Sequence, residues 1–129
     1  MTIEQRAEQA VVLKNSGCNC CQAVLAALRD QTGLSEEQAL ALASGFGAGM
    51  GSMEGSCGAL VGAVTAAGLH LQGAGASRTA RKLSLAFKEA CGAVACKEIK
   101  GVGTGQVLCS CDDCVRNAVM IYGRIMELN

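Results

Sequence analysis

Apolar residues recur along most of the chain at spacings of three and four, which is typical of amphipathic helices rather than strands. The first such segment has Thr2 and Gln5 at the spacing of a capping box, and it ends before Gly17. Asn19 and Ser35 are good caps for the next two segments. The remaining helices are predicted over about 20–31, 36–44, 57–71, 77–90 and 113–127, with a short turn or helix around 93–100.

The pattern therefore predicts an all-α fold, a compact bundle of five to six helices with a glycine-rich loop before the central helix. The absence of proline and the abundance of small apolar residues agree with this fold class. No repeat and no long linker divides the 129 residues. We therefore expect residues 1–129 to form a single cysteine-rich helical domain.

Composition and charge exclude several classes of function. Lys and Arg together number 11, as do Asp and Glu, and the chain has two Phe, one Tyr and no Trp. A nucleic-acid partner is not expected, because the chain has neither a basic stripe for phosphates nor aromatic surface for bases. Residues 45–71 are nearly uncharged but mostly small, with Glu54 among them, so we expect a loop and a buried helix rather than a membrane span. Gly58 and Gly62 suit close helix packing.

Nine cysteines are the most informative feature of the composition. An odd number cannot all pair within one chain. The first ten residues lack the basic and apolar regions of a secretory signal, so a reducing, cytoplasmic compartment is expected. In such a compartment, cysteine clusters more often bind metal or take part in redox chemistry than form structural disulfides.

Three predicted helices begin with a cysteine, namely Cys20, Cys57 and Cys114. A helix start offers unpaired N–H groups and a partial positive charge, both of which stabilise a thiolate or an anionic metal–sulfur group. The glycines before Cys57 would let the backbone approach a bound group closely. They could equally serve only to allow helix crossings or to form a flexible lid.

The other cysteines group by sequence. Cys109 lies near the pair Cys111 and Cys114, a C-x-x-C spacing that suits zinc, the edge of an iron–sulfur site or thiol–disulfide exchange. Cys91 and Cys96 lie near the end of the fifth helix. Cys91 could instead be a small buried apolar residue, because it continues a helical apolar pattern.

Four segments together resemble a small cysteine-rich family defined by a C…GCAxxG…C…C pattern: "NCCQAVLAAL", "GAGMGSMEGSCGALVGAV", "ACGAVACKEIKG" and "CDDCVRNAV". The resemblance covers nearly the whole chain and implies a redox-active protein with an iron–sulfur group. Four cysteines define the family, and they correspond here to Cys20, Cys57, Cys96 and Cys114. The resemblance therefore implies these four as the cofactor-binding residues.

This chain adds five cysteines to the pattern: Cys18, Cys21, Cys91, Cys109 and Cys111. Each added cysteine lies beside one of the family positions, whereas Cys57 has no such neighbour. Unrelated buried cysteines would not be expected to group in this way. We therefore expect a larger or second cluster to which the additional thiols contribute as metal ligands.

The leading functional prediction is a small redox module that binds an iron–sulfur cluster and transfers electrons to an oxidoreductase partner, rather than a stand-alone enzyme. One alternative is a dithiol–disulfide redox protein that uses Cys111 and Cys114, or Cys18 and Cys21. Another is a module that binds zinc or copper through thiolates. The glycine-rich helix face would also suit a homodimer.

Overall fold

A computed structural model describes residues 1–129 as a bundle of helices with no β-sheet. Six of the helices contain at least eight residues, which confirms the predicted all-α fold and the number of its main helices. A 3₁₀ turn (Arg29–Gln31) and a π-helical turn (Gly49–Met53) complete the structure. The α-helices are α1 (Ile3–Asn15), α2 (Cys20–Ala27), α3 (Glu36–Ala43), α4 (Gly58–His70), α5 (Ala76–Cys91), α6 (Cys96–Ile99) and α7 (Cys111–Met126).

The three predicted caps determine where α1, α2 and α3 begin. The side chains of Thr2, Asn19 and Ser35 each accept a hydrogen bond from the backbone N–H three residues ahead. In every case that third residue is a Gln, whose side-chain oxygen accepts a hydrogen bond from the backbone N–H of the cap residue. These are complete capping boxes, which satisfy backbone donors that a helix start leaves unpaired. The sequence therefore encodes the first three helix starts locally.

Two predicted boundaries differ from the observed ones. The second helix ends at Ala27 and continues as the 3₁₀ turn, because the Leu28 N–H is shared among carbonyls of the preceding turn. The last helix begins at Cys111 rather than near residue 113. Its cap is Ser110, whose hydroxyl accepts a hydrogen bond from the Asp113 N–H at 3.1 Å.

The core lies where α2, α4 and α7 meet, and its 29 buried residues run from Ile3 to Tyr122. The α4 helix packs closely on α2 because Gly58 and Gly62 lack side chains. A Cβ at Gly62 would lie 3.0 Å from the Cys21 carbonyl oxygen and from the Val24 Cβ. The predicted role of these glycines in helix packing is thereby confirmed. No helix combines the length and the hydropathy needed to cross a bilayer.

Candidate metal centre

Four cysteines from four parts of the chain line one pocket of about 250 Å³. Cys57 and Cys96 are buried, whereas Cys20 and Cys111 are partly exposed. We call this site the cysteine pocket. The other residues that line it are Lys14, Asn19, Ala48, Met53, Gly58 and Lys100.

A short backbone pairing places Cys57 beside Cys96. The Cys57 N–H donates to the Val94 carbonyl at 2.8 Å, and the Cys96 N–H donates to the Gly55 carbonyl at 3.0 Å. These two bonds form an isolated antiparallel bridge between the segment before α4 and the segment before α6. Two cysteines that are far apart in sequence therefore enter the pocket from adjacent backbones.

The glycine-rich loop before α4 forms one wall of the cysteine pocket. A Cβ at Gly49, whose φ is +57°, would lie 2.7 Å from the Cys96 Cβ, so a larger residue would push Cys96 away. The Asn19 side chain donates to the Ser44 carbonyl at 3.2 Å and packs where a Cβ of Gly47 would be. The glycines thus let the loop approach the segments that carry the cysteines.

A second group of cysteines lies behind the pocket, in the core. The Sγ atoms of Cys91, Cys109 and Cys114 all lie within 4.8 Å of one another. Cys91 and Cys114 are buried, and Cys109 is partly buried. We call these three residues the inner triad. They form a group of thiols that could hold a metal ion.

Cys114 connects the two groups, although it does not line the cysteine pocket. Its thiol interacts with the Cys57 sulfur on one side and with the Cys91 sulfur on the other. Lys100 extends along this boundary: its Nζ lies 3.8 Å from the Cys114 Sγ and donates to the Cys109 carbonyl at 3.3 Å. The pocket and the triad are therefore adjacent but distinct sets of thiols.

The cysteine side chains differ strongly in their acidity. The hydrogen bond with Cys114, together with backbone bonds from Ala59 and Leu60 in the first turn of α4, lowers the pKa of Cys57 to about 7 despite its burial. Hydrogen bonds with Cys114 and Asn117 lower the pKa of Cys91 to about 6. These two are the thiols most ready to become metal-binding thiolates near neutral pH.

Thiolate stabilisation by a helix start is found at Cys57 but not at the other two predicted positions. Burial, reinforced by the nearby thiols of Cys111 and Cys57, raises the pKa of Cys20 to about 12. The pKa of Cys114 is also raised, because its interactions with the Cys57 and Cys91 sulfur atoms favour the protonated thiol. At both positions, burial and the neighbouring sulfur atoms outweigh the effect of the helix terminus.

Cys18 and Cys21 belong to neither group. Cys21 is buried where α2 crosses α4, and burial raises its pKa to about 12. Cys18 is partly buried and packs against the core. In the predicted exchange pair of α7, Cys111 lines the pocket whereas Cys114 joins the inner triad. The assignment of ligand roles among the nine cysteines stays a prediction.

Sequence reasoning did not identify the polar partners of the two sites. Lys100 lies four residues after Cys96, and Asn117 lies three residues after Cys114. Residues at these spacings share one face of a helix, so both could have been selected as neighbours of the cysteines. Burial by itself would lower the pKa of Lys100. The hydrogen-bonding interaction with Cys111 and the charge of the nearby thiolates outweigh burial and raise its pKa above the usual value, so Lys100 stays cationic.

Comparison with known proteins identifies the family. The model of the family described as "Putative redox-active protein (C_GCAxxG_C_C)" matches residues 18–125, which is most of the chain. The chain belongs to this family. No curated protein and no solved structure matches it significantly.

Membership of the C_GCAxxG_C_C family confirms the resemblance found in the sequence and establishes the chain as one of its cysteine-rich members. Three of the four cysteines that the resemblance singled out, Cys20, Cys57 and Cys96, line the cysteine pocket. The fourth, Cys114, lies at its inner boundary, where its thiol interacts with that of Cys57. The cysteines of the C_GCAxxG_C_C pattern are therefore neighbours in the fold.

Proposed function

We propose that this protein is a redox module that binds an iron–sulfur cluster in the cysteine pocket and exchanges electrons with an oxidoreductase partner. The observation that carries the proposal is the convergence of four cysteines on one pocket at the start of α4. Membership of a family described as redox-active supports it.

The residues that line the pocket fit an iron–sulfur group. Its four candidate donors are all thiols, the ligands that hold such clusters, and no carboxylate or imidazole lines the pocket. Its volume of about 250 Å³ far exceeds the ~10–15 Å³ that a single water molecule needs, so a group of several atoms can enter. A cluster bound here would supply one-electron chemistry.

We assign Cys20, Cys57, Cys96 and Cys111 to the direct contacts with the cluster, because these residues line the pocket. This assignment departs from the pattern-based set at one position, where Cys111 replaces Cys114. Cys114 would act by donating its hydrogen bond to the Cys57 sulfur. Hydrogen bonds to ligand sulfur atoms are among the features that set a cluster's potential.

Two further features of the chain suit electron transfer. Lys100 places a cation beside the thiols, which offsets the negative charge that several thiolates bring into a partly buried site. Cys20 and Cys111 are partly exposed, so an electron has a short path to a docked protein. Apart from the thiols, lysines are the only titratable groups that line the pocket, so no acid–base machinery for a separate reaction is evident.

Anaerobic purification tests the proposal, with iron, acid-labile sulfide and the visible absorption spectrum measured on the same sample. We expect a coloured protein with iron and sulfide in comparable amounts and an absorption that bleaches on reduction. A colourless protein that contains zinc or copper in the pocket would replace the proposal with a thiolate metal-binding module. A protein with no metal and reversibly oxidised thiols would replace it with dithiol exchange.

A further inference from the structure

We infer that the inner triad of Cys91, Cys109 and Cys114 is a second metal site, which binds a single thiophilic d¹⁰ ion separately from the cysteine pocket. Zn(II) and Cu(I) share the chemistry that this site would recognise. The inference does not depend on an iron–sulfur cluster in the pocket.

The spacing of the sulfur atoms favours one ion over a cluster. Thiolates bound to one metal ion at about 2.3 Å lie about 3.8 Å apart in a tetrahedral site and about 4.0 Å apart in a trigonal one. The three Sγ atoms of the triad already lie within 4.8 Å of one another, so small side-chain shifts would complete such a site. Cysteines that bind different irons of a cluster are kept further apart by the iron and sulfide atoms between them, so three mutually close sulfur atoms do not suit three irons.

The surroundings of the triad support bound thiolates. The Asn117 Nδ2 donates to the Cys91 Sγ at 3.5 Å and approaches the Cys109 Sγ at 3.9 Å. One amide group thus reaches two of the three sulfur atoms, as an outer partner of a metal site does when it orients the ligands. This contact to two sulfurs is a feature that a purely apolar role for Cys91 would not require.

A nearby cation offsets the negative charge that three thiolates would leave on a bound ion. Three thiolates with Zn(II) leave a net charge of −1, and with Cu(I) they leave −2. The Nζ of Lys100, 3.8 Å from the Cys114 Sγ, supplies a balancing positive charge. No fourth Cys, His, Asp or Glu joins the group within the same distance. Three-coordinate Cu(I) would therefore need nothing further, whereas four-coordinate Zn(II) would recruit another ligand.

The triad adjoins the cysteine pocket without lining it. None of its three residues lines the pocket, and Cys114 is the member of the triad whose thiol interacts with a pocket cysteine, Cys57. The additional cysteines of this chain are thereby divided. Cys91 and Cys109 belong to the triad, Cys111 belongs to the pocket, and Cys18 and Cys21 lie outside both.

The test measures all metals per chain in the anaerobically purified, full-length protein before and after incubation with Zn(II) or, in a separate sample, Cu(I). We expect about one equivalent of ion, in addition to any iron, with X-ray absorption showing sulfur ligands near 2.3 Å and no metal neighbour. Retention of Zn(II) with four ligands or of Cu(I) with three distinguishes the two ions. Failure of both ions to bind would overturn the inference.

Variants identify the site. Cys91→Ser should remove the equivalent of Zn(II) or Cu(I) and leave iron and sulfide unchanged, whereas Cys20→Ser should do the reverse. Cys18→Ser is the matched control, since Cys18 lies in neither group and should affect neither. Loss of iron and sulfide in Cys91→Ser, with circular dichroism unchanged, would show that the triad belongs to one larger cluster and would overturn the inference.

Asn117→Leu keeps the test valid if Cys91→Ser does not fold. Asn117 is only partly buried, so its replacement should leave the helices intact. It should weaken Zn(II) or Cu(I) affinity about 10–100-fold, the usual effect of losing an outer partner of a metal site. An unchanged affinity would contradict a metal bound at the triad.

Discussion

The cysteine pocket and the inner triad are built from the same type of side chain but in opposite settings. The pocket lies between the starts of four helices and a glycine-rich loop, and two of its four cysteines are partly exposed. The triad lies against the core, and an amide side chain reaches two of its sulfur atoms. Because spacing, exposure and hydrogen-bond partners differ, the same type of ligand need not imply the same chemistry.

Two residues, Cys114 and Lys100, lie between the cysteine pocket and the inner triad and contact both. The Cys114 thiol interacts with sulfur atoms of both, and Lys100 lies beside the thiols of both. A change of charge at one site would therefore be felt at the other, since electrostatic interactions are strong where water is excluded. Variants can test how far the two sites act independently.

The largest effect is expected from removing a pocket ligand. Cys57→Ser should lower the iron and sulfide content by more than about tenfold, because even the loss of an outer partner costs about 10–100-fold in affinity. Metal analysis of the anaerobically purified variant measures this loss. Cys18→Ser is the control and should retain both. An iron content in Cys57→Ser equal to that of the wild type would contradict the assignment of the cluster to the cysteine pocket.

Loss of the shared cation should weaken both sites. In Lys100→Met, we expect metal affinity to fall about tenfold at the pocket and at the triad, because the charge that offsets the thiolates is gone. Lys97→Met is the matched control, since Lys97 lies in α6, three residues before Lys100, but pairs with the exposed Glu54 at 3.6 Å. Competition with a chelator measures the affinities. A weakening confined to one site would show that Lys100 serves only that site.

Close packing beneath the pocket should be sensitive to a single methyl group. A Cβ at Gly58 would lie 2.8 Å from the Phe46 carbonyl oxygen and 3.1 Å from the Cys21 nitrogen. Gly58→Ala should therefore lower the free energy of unfolding by about 1–3 kcal/mol.

Gly68 provides the matched control for this prediction, because it lies in the same helix and a Cβ added there would meet nothing within 4 Å. Gly68→Ala should raise the free energy of unfolding by up to about 1 kcal/mol, since alanine favours the helix more than glycine does. Urea unfolding of the metal-free, reduced protein measures both variants. Equal stability of the two would contradict the close crossing of α2 and α4.

The smallest effect is expected from pH in the metal-free, reduced protein. Cys57 and Cys91 have pKa values lowered from 9.0 to about 7 and about 6, so the folded state releases their protons first. Their contribution to stability is complete above pH 9 and is lost as pH falls through 7 and 6. Cys20 and Cys21, whose pKa values are raised to about 12, contribute stability that is complete below pH 9 and is lost as pH rises to about 12.

The free energy of unfolding of the metal-free, reduced protein, measured from pH 6 to pH 11, should therefore rise toward about pH 9 and then decline. Asn117→Leu should reduce the rise, because the amide that helps to lower the pKa of Cys91 is gone. Wild-type stability that falls steadily from pH 6 upward would contradict the thiolate character of Cys57 and Cys91.

Much of the fold and part of the site follow from the sequence alone. The capping boxes at Thr2, Asn19 and Ser35 are formed by residues three positions apart, so they can be recognised without tertiary information. The small residues Gly58 and Gly62 likewise indicate a close helix crossing. The family pattern depends on the spacing of cysteines, which is also a property of the sequence.

Only the tertiary structure decides which thiols meet. Cys91 and Cys96 are close in sequence, yet the turn at Gly92, with φ +91°, and the bridge between Ser56 and Ala95 direct them to different sites. Cys111 and Cys114 also belong to different sites, because residues three apart on a helix point in directions that differ by about 60°. Sequence spacing shows that cysteines can cluster, but contacts between distant helices determine which ones share a site.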